Sequence, residues 1–305
     1  MSAGLWQYLM ALLIWPGLIA AALLSWFFLW LMRKLTARLQ GRQGPPFYQP
    51  FYDFIKLLGK KTIVPAGVNR ALFYALPIVA TVSVVFALAL LPLAGNPLPS
   101  FTGDLIILLY LLEMPAFCTI LAGYVSGSLY GQVSSAREAV LLLCYNLPFL
   151  ASVVALAVQS KSFELGILAH QPWTVVHLIA ALTFLLAVPA RLRSNPFSIG
   201  NAEQEIVAGA MTEYNGLPLA FFEFSHGLEL VALVGLFDAL FIPQVGGLAL
   251  SLLVYAMVSL LVVIVVTLLA TSTARIRVNQ AFRFYWWWGA IAAAASFAAA
   301  LLMRS

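Results

Sequence analysis

Carboxylic acids within apolar segments are the residues of this sequence best suited to chemistry. Only 11 of the 305 residues are Asp or Glu. A carboxyl group inside a membrane is costly and persists where it is paired, hydrated or used. Burial also raises its pKa, which brings proton exchange toward neutral pH. The acids that we single out as functional candidates are Glu113, Glu203, Glu205, Glu213, Glu223, Glu229 and Asp238.

Three of these acids belong to a polar segment, residues 191–213, that lies between two apolar runs. Glu203 and Glu205 are two residues apart, so they do not share one face of a helix. The acids of this segment could serve in ion movement. Alternatively, they form salt bridges with Arg191, with Arg193 or with basic residues of a partner, and the sequence leaves both interpretations open.

The elements that position these acids are membrane helices. The chain is 63% hydrophobic and 9% charged, with a mean hydropathy of +0.98, far from the composition of soluble domains. Continuous Leu, Ala and Val runs exclude the alternating pattern of a membrane β-barrel. The sequence therefore predicts an all-α polytopic protein that forms one bundle over residues 1–305. Its eight predicted spans are 5–31, 71–94, 103–127, 138–159, 173–190, 219–243, 247–271 and 284–302.

The distribution of Lys and Arg predicts the orientation of these spans. Of the 16 basic residues, all but Lys161 and Arg304 fall in the first loop and in alternate later loops. Short cytoplasmic loops retain positive charge, so we expect an outward N-terminus in the cytoplasmic (inner) membrane, with the main loops 33–70 and 191–218 in the cytoplasm. The net charge of +5 thus reflects topology, and we expect no nucleic-acid partner.

The first loop contains an amphipathic segment after the turn-forming residues 41–46. Its helical spacing places Phe51 and Phe54 on an apolar face, with Asp53, Lys56 and Lys60 opposite. Such a helix lies in the membrane interface or fills a cleft between other helices and a docked partner. Both placements remain open from the periodicity.

Metal and redox centres are not indicated. Cys118 and Cys144 fall in predicted spans, where a thiol usually behaves as a small apolar group. The three histidines have no ligand spacing with carboxylates. We expect this chain to bind no metal and no redox cofactor.

Four segments resemble the family of NADH-quinone oxidoreductase membrane subunit 1 in respiratory complex I, together with the related membrane subunits of energy-converting nickel–iron hydrogenases and formate hydrogenlyases. The segments are GRQGPPFYQPFYDFIKLLGKKTIVPA from Gly41, LLYLLEMPAFCTILAGYVSGSLYGQVSSAREA from Leu108, AEQEIVAGAMTEYNG from Ala202 and ARIRVNQAFRFYWW from Ala274. The motifs at 135–139, expected to form an Arg-bearing turn after the third span, and at 202–205 are nearer to the hydrogenase branch.

The resemblance implies eight membrane helices and a subunit that bridges a peripheral iron–sulfur arm to antiporter-like, ion-translocating subunits. Buried acids of such a subunit relay protons or transmit charge, and quinone-reducing members contribute to a quinone chamber. The expected partners are hydrogenase-like large and small subunits, an iron–sulfur protein and lipid. Iron–sulfur clusters and a nickel–iron centre would belong to those partners.

The sequence departs from the family pattern at four positions where an acid is expected. They hold Asn146, Arg191, Ser198 and Asn201. These departures argue that Glu113 has taken over part of the relay, or that coupling is conformational or electrostatic. They also weaken the quinone interpretation.

The sequence thus predicts a non-redox membrane subunit of a hydrogenase-type complex that couples electron transfer to proton or sodium translocation. The alternative is the corresponding membrane subunit of a respiratory quinone oxidoreductase. An independent transporter would show paired broken helices or internal repeats, and the sequence shows neither. The expected docking residues for the peripheral arm are Arg42, Asp53, Lys56, Lys60, Arg137, Arg193 and Arg283. A quinone or lipid cavity is expected at Gly44, Phe47, Phe51 and Phe54.

Overall fold

The computed structural model describes residues 4–93, 96, 98–243 and 247–303. Over these ranges the chain is helical and contains no strand, which confirms the prediction of an all-α membrane protein. The helices are α1 (Leu5–Leu13), α2 (Leu18–Leu39), α3 (Gln49–Gly59), α4 (Arg70–Leu90), α5 (Asp104–Val125), α6 (Leu129–Ser160), α7 (Leu165–Ala169), α8 (Val175–Arg191), α9 (Glu203–Ile206), α10 (Gly216–Phe241), α11 (Leu248–Ser272), α12 (Val278–Phe284) and α13 (Ala290–Leu302). A π-helical turn, Tyr285–Gly289, joins α12 to α13.

Seven helical segments of the described residues are long and apolar enough to cross a membrane. They are Trp6–Leu39, Arg70–Leu90, Asp104–Val125, Leu129–Ser160, Gly216–Phe241, Leu248–Ser272 and Val278–Leu302. The remaining predicted span, 173–190, corresponds to α8, an apolar helix of 17 residues. At 1.5 Å per residue it extends about 26 Å, and it packs against α6 and α13.

Two predicted boundaries differ from the structure. The first helical segment continues to Leu39, and α6 begins at Leu129, so residues 135–139 are helical and do not form the expected turn. Their polar side chains lower the hydropathy of the segment, so an apolar run does not include it. The segment contains no glycine or proline that would interrupt a helix. Arg304 and the predicted end of the second span at residue 94 lie outside the described residues.

Helix α10 is the most enclosed span, because 72% of its apolar window is buried, compared with at most 56% in the other six. It contacts α2, α3, α4, α8 and α11. A helix that is apolar on all sides is typical of such a central position. Glu229, deep in α10, is therefore surrounded by protein, whereas Glu223 near the start of the helix is exposed.

The polar loops meet at one end of the bundle. The side-chain amide of Asn215 accepts from the backbone N–H of Ile63 at 2.8 Å and donates to the Ile63 carbonyl at 3.0 Å. Arg33 on α2 forms an ion pair with Asp53 on α3 at 2.7 Å. The Asn215 contacts tie loop 33–70 to loop 191–218, and the Arg33–Asp53 pair holds α3 against α2. We name this side of the bundle the loop end.

Candidate functional site

A row of alternating acids and arginines lies inside the bundle. The Nη1 of Arg191 is 2.5 Å from Glu113 Oε1, and its Nε is 3.7 Å from Glu229 Oε1. Arg193 places Nη2 3.4 Å from Glu229 Oε2 and Nε 3.8 Å from Glu138 Oε1. The order is Glu113, Arg191, Glu229, Arg193, Glu138, and we name this row the central network. With three acids and two arginines, it carries one surplus negative charge when all are ionised, so one added proton makes it neutral.

Four helices and one loop assemble the central network. Glu113 is on α5, Glu138 on α6, Arg191 at the end of α8 and Glu229 on the enclosed helix α10, while Arg193 belongs to the loop after α8. Residues far apart in sequence, such as Arg191 and Glu113, which are 78 positions apart, meet because these helices pack side by side.

Arg191 is the most tightly held member of the network. Its side chain has no exposed surface, and its Nη2 donates to the carbonyl of Leu112 at 2.6 Å. Its guanidinium lies 4.2 Å from the ring centroid of Phe149, a distance typical of a cation–π contact. Because Arg191 is fully buried, loss of one of these partners would leave uncompensated charge inside the bundle.

Arg193 corrects one expectation from the sequence. The sequence places it among the surface anchors for a peripheral arm, but its side chain is only 11% exposed and donates to Thr119 Oγ1 at 3.2 Å. Its φ of +50° is uncommon for a residue with a side chain and costs free energy that the surrounding contacts offset. Burial alone would lower the pKa of Arg193. The facing carboxylates of Glu138 and Glu229 raise it by more, so the net pKa is raised.

Two of the four departures from the family pattern surround Glu113. Asn146 donates to Glu113 Oε2 at 3.1 Å, and Arg191 binds Glu113 Oε1. Thus two positions where the resemblance leads one to expect acids instead hold an amide and a cation, and both bind the acid on α5.

Glu138 is the member of the network that sequence reasoning missed. Its side chain is 4% exposed, and Gly200 lies so close that a Cβ there would approach Glu138 Oε2 at 2.6 Å. The sequence feature that could have pointed to Glu138 is its position beside Arg137 at the start of a predicted span. The sequence interpretation assigns the segment to a turn, where a carboxylate has access to water.

The other candidate acids lie apart from the network. Glu205 forms an ion pair with Arg137 at 2.6 Å and has a side chain that is 60% exposed. The hydrogen bond and charge of Arg137 lower the pKa of Glu205. Glu213 is half-buried in the loop before α10. Asp238 lies about 33 Å along α10 from Gly216, in a small pocket beside Tyr255. The side chain of Glu203 lies outside the described residues.

Among the described side chains, the arginines of the 191–213 segment pair with acids outside it. Arg191 contacts Glu113 and Glu229, and Arg193 contacts Glu138 and Glu229. No cluster of three or more Cys, His, Asp or Glu suited to a metal is found among the described residues.

A separate cavity of about 360 Å³ lies between α2, α3 and α10 near the loop end. It combines apolar walls with charged groups, and its lining includes Trp26, Leu29, Arg33, Asp53, Phe54, Lys56, Lys60, Glu223 and Phe224. We name it the α3 cavity. Helix α3 thus covers a cleft between α2 and α10, but Phe51, Ile55 and Leu58 of its apolar face are exposed, so both placements stay predictions.

The four residues expected at a cavity are not all in this lining. Phe54 lines the cavity and packs 5.3 Å from Phe224. Phe51 contacts Trp26 at 4.9 Å but does not line the cavity. Phe47 packs against Trp30, and Gly44 lies against Lys34, so both are placed along α2. Of the four residues, only Phe54 therefore lines the α3 cavity, and a quinone or lipid site that includes the other three stays a prediction.

The residues expected to dock a peripheral arm are distributed over the loop end. Lys56 and Lys60 line the α3 cavity, and Asp53 pairs with Arg33. Arg42 and Arg283 are exposed. Apart from the buried Arg193, these positions remain compatible with docking.

The Arg33–Asp53 pair predicts a pH dependence of α3. Burial raises the pKa of Asp53, but hydrogen bonds from Arg33 and Gln49 outweigh it, and the net pKa is lowered. The stabilisation is therefore complete above the unfolded pKa of about 4 and is lost as the pH falls through the lower folded value. We expect amide exchange in Gln49–Gly59, corrected for the intrinsic rate, to accelerate below about pH 4. Asp53→Asn should remove this dependence, and an unchanged acid response would contradict the assignment to this pair.

Comparisons with known proteins give a consistent result. The profile of the family described as NADH dehydrogenase matches residues 10–301. An H subunit of NADH-quinone oxidoreductase from Syntrophobacter fumaroxidans is 29% identical over 279 residues, which are 85% of this chain and 84% of that protein. The Geobacter sulfurreducens protein of the same name is 33% identical over 230 residues, 69% of this chain and 70% of that protein.

A solved structure also resembles the chain over nearly its whole length. It is a chain in the structure of the membrane-bound sulfane sulfur reductase, described as an archaeal respiratory membrane complex. The TM-score is 0.87 at 29% identity, and the match covers 97% of this chain and 100% of the other.

Proposed function

Because the chain belongs to the NADH dehydrogenase family, we propose that it is the membrane subunit that couples a peripheral redox module to ion translocation in a multisubunit complex. The central network is the observation that carries this proposal. Buried carboxylates spaced by arginines form a charge row whose protonation changes the electrostatic free energy of neighbouring groups. Such a row transmits a charge change across the bundle without a redox centre in this chain.

The α3 cavity provides the route from the loop end toward the network. Glu223, about 10 Å along α10 from its start, faces this cavity, and Glu229 lies about 9 Å further along the same helix. A change of charge at the cavity is therefore close to Glu223, and the central network lies beyond Glu223 along the same helix. The redox groups themselves would be iron–sulfur clusters of partner subunits, and the antiporter-like partners would move proton or sodium.

We place the complex in the hydrogenase-type class, with a nickel–iron centre in a partner subunit. The motifs at residues 135–139 and 202–205 support this placement. The acceptor would therefore be something other than a quinone.

The test is purification of the intact complex through a tag on this chain in mild detergent. Nickel together with hydrogen evolution is the expected result. Quinone reduction without nickel would favour the alternative, a membrane subunit of a quinone oxidoreductase. Recovery of the chain without any redox subunit would overturn the coupling proposal.

The alternative has its own supporting observation, because the α3 cavity combines apolar walls with charged groups, as a quinone site requires. Filling the cavity with Leu29→Trp distinguishes the hydrogenase-type interpretation from the quinone interpretation. In a hydrogenase-type complex we expect hydrogen-evolving turnover to change less than about twofold, since no substrate enters there. Leu23→Trp, on the exposed side of the same helix, is the matched control. A loss of about tenfold or more that is specific to Leu29→Trp would favour the quinone interpretation.

A further inference from the structure

The small pocket beside Asp238 lies at the end of the bundle opposite the loop end, which we name the far end. Four helical segments meet there, because the pocket is lined by residues just before α2, just after α4, in the last turn of α10 and near the start of α11. Its volume is about 20 Å³, and its lining includes Trp15, Pro92, Asp238, Ala239, Pro243 and Tyr255. We name it the far pocket. A cavity of this volume holds one water molecule or one small ion.

The wall of the far pocket contains an unpaired carboxylate. Oδ1 of Asp238 is buried and has no hydrogen-bond partner among the described residues. Within the same ranges, the lining contains no Lys, Arg or His, and Asp238 belongs to none of the ion pairs. A buried carboxylate without a donor or a cation is costly, so it favours a bound cation or a proton.

Hydroxyl and carbonyl oxygens extend the possible ligand set. Tyr255 is only 6% exposed and lines the far pocket. Its hydroxyl lies beside that of Ser259, one turn along α11, but neither has a partner at hydrogen-bond geometry in the described part of the chain. Pro243 has no N–H, so the carbonyl of Ala239 receives no hydrogen bond from the residue four positions on. Hard cations such as sodium prefer oxygen ligands of these kinds.

The charge and the size of the far pocket favour a small monovalent cation. One carboxylate balances one positive charge, whereas a divalent ion would leave a charge uncompensated inside the bundle. Calcium takes about six to eight oxygen ligands and magnesium keeps several waters, for which a pocket of this size has no room. The Cys, His and carboxylate spacing that the sequence lacks is a property of transition-metal sites, so its absence does not bear on this oxygen ligand set.

We propose that the far pocket binds one sodium ion through the Asp238 carboxylate, the Tyr255 hydroxyl and the Ala239 carbonyl. Exposed Pro243 marks the side from which the ion enters. Asp238 lies about 14 Å along α10 from Glu229, so the site is separate from the central network. The proposal goes beyond the proposed function, because sodium binding by this chain needs no redox module.

The first test is equilibrium binding of radioactive sodium to the purified full-length chain in detergent, with choline chloride holding the ionic strength constant. We expect one sodium ion per chain. Asp238→Asn keeps the shape of the side chain but removes its charge, so it should weaken binding by about tenfold or more. Glu164→Gln, at another acid of the far end that accepts from Ser100 Oγ outside the pocket, is the matched control and should bind sodium normally.

A second variant removes one ligand without a change of charge. Tyr255→Phe keeps the ring that packs 6.3 Å from the ring of Trp15 but deletes the hydroxyl. We expect sodium binding to weaken by about threefold or more, since one oxygen ligand is lost. Tyr110→Phe, at a tyrosine that is 73% exposed on α5, is the control and should leave the affinity unchanged.

Thermal unfolding provides an independent readout. A ligand that binds only the folded chain stabilises it, so sodium at about ten times its Kd should raise the Tm by about 2 °C relative to choline. Asp238→Asn should abolish this rise. No sodium binding by the unchanged chain, or normal binding by Asp238→Asn, would overturn the proposal.

The same measurement separates a bound ion from a bound proton. A Tm that depends on pH through Asp238 but not on sodium would overturn the proposal in favour of a carboxyl group that only takes up a proton. An equal rise with potassium would overturn the assignment to sodium. None of these outcomes bears on the proposed function, which depends on recovery of the redox subunits.

Discussion

Replacing Arg191 with methionine should lower the free energy of unfolding by about 3–5 kcal/mol, the range for a buried ion pair that loses one partner. Methionine keeps much of the side-chain length but removes the charge. Glu113 and Glu229 then lose their shared cation, and the Leu112 carbonyl loses its donor. The measurement is thermal unfolding of the purified chain in detergent, together with the yield of assembled complex.

A double variant isolates the ionic contribution from packing. Arg191→Met with Glu113→Gln should recover part of the stability lost by Arg191→Met, because the carboxylate left without a cation has been made neutral while Glu229 keeps Arg193. Arg283→Met, at an exposed arginine, is the matched control and should stay within about 0.5 kcal/mol of the unchanged chain. An equally small effect of Arg191→Met would show that water readily replaces the guanidinium, and the network would not be a buried one.

Much of the fold follows from hydropathy because a bilayer constrains the backbone so strongly. Apolar runs must form helices that satisfy their own hydrogen bonds, so the runs around Val84, Leu112 and Val263 predict spans correctly. The amphipathic pattern of residues 49–59 likewise gives helix α3. Periodicity alone does not state which surface covers the apolar face. The contacts of Phe51 and Phe54 with Trp26, and of Phe54 with Phe224, are visible only in the three-dimensional structure.

The partners of the arginines were not predictable from local sequence. Arg191 lies in a polar segment with Glu203 and Glu205 nearby, yet it turns to acids on α5 and α10. The position of Arg191 at the end of α8, inside the packed bundle, makes those acids nearer in space. Glu138 was missed for a related reason, since a helix that begins at Leu129 buries its carboxylate beneath loop 198–201.

The departures from the family pattern gain a physical explanation from the same geometry. Arg191 and Asn146 bind Glu113, while Ser198 and the carbonyl of Asn201 accept hydrogen bonds from Arg275. Acids at the latter two positions would add negative charge beside Arg275 and reduce the positive charge of the loop end. One pair of changes thus reorganises the central network, and the other preserves the charge of the loop end.

Replacing Glu229 with glutamine should reduce ion translocation per electron transferred by about tenfold or more while the complex still assembles, because the change removes a transmitted charge but keeps the shape. Glu229 is the only acid of the central network that contacts both Arg191 and Arg193 within the described residues. Without its charge, the Glu113 side and the Glu138 side are no longer linked by a shared anion. Glu113 and Glu138 still offset the two arginines, which is why we expect assembly to survive.

The measurement is ion uptake into sealed vesicles relative to the redox turnover of the same preparation. Glu164→Gln is the matched control, because Glu164 accepts from Ser100 Oγ at 2.7 Å outside the network. It should preserve the ratio of ions to electrons. Loss of turnover together with ion uptake in Glu229→Gln would mean that the network gates electron transfer. Full ion uptake at normal turnover would mean that Glu229 only neutralises two arginines, and coupling would then have to pass through another part of the bundle.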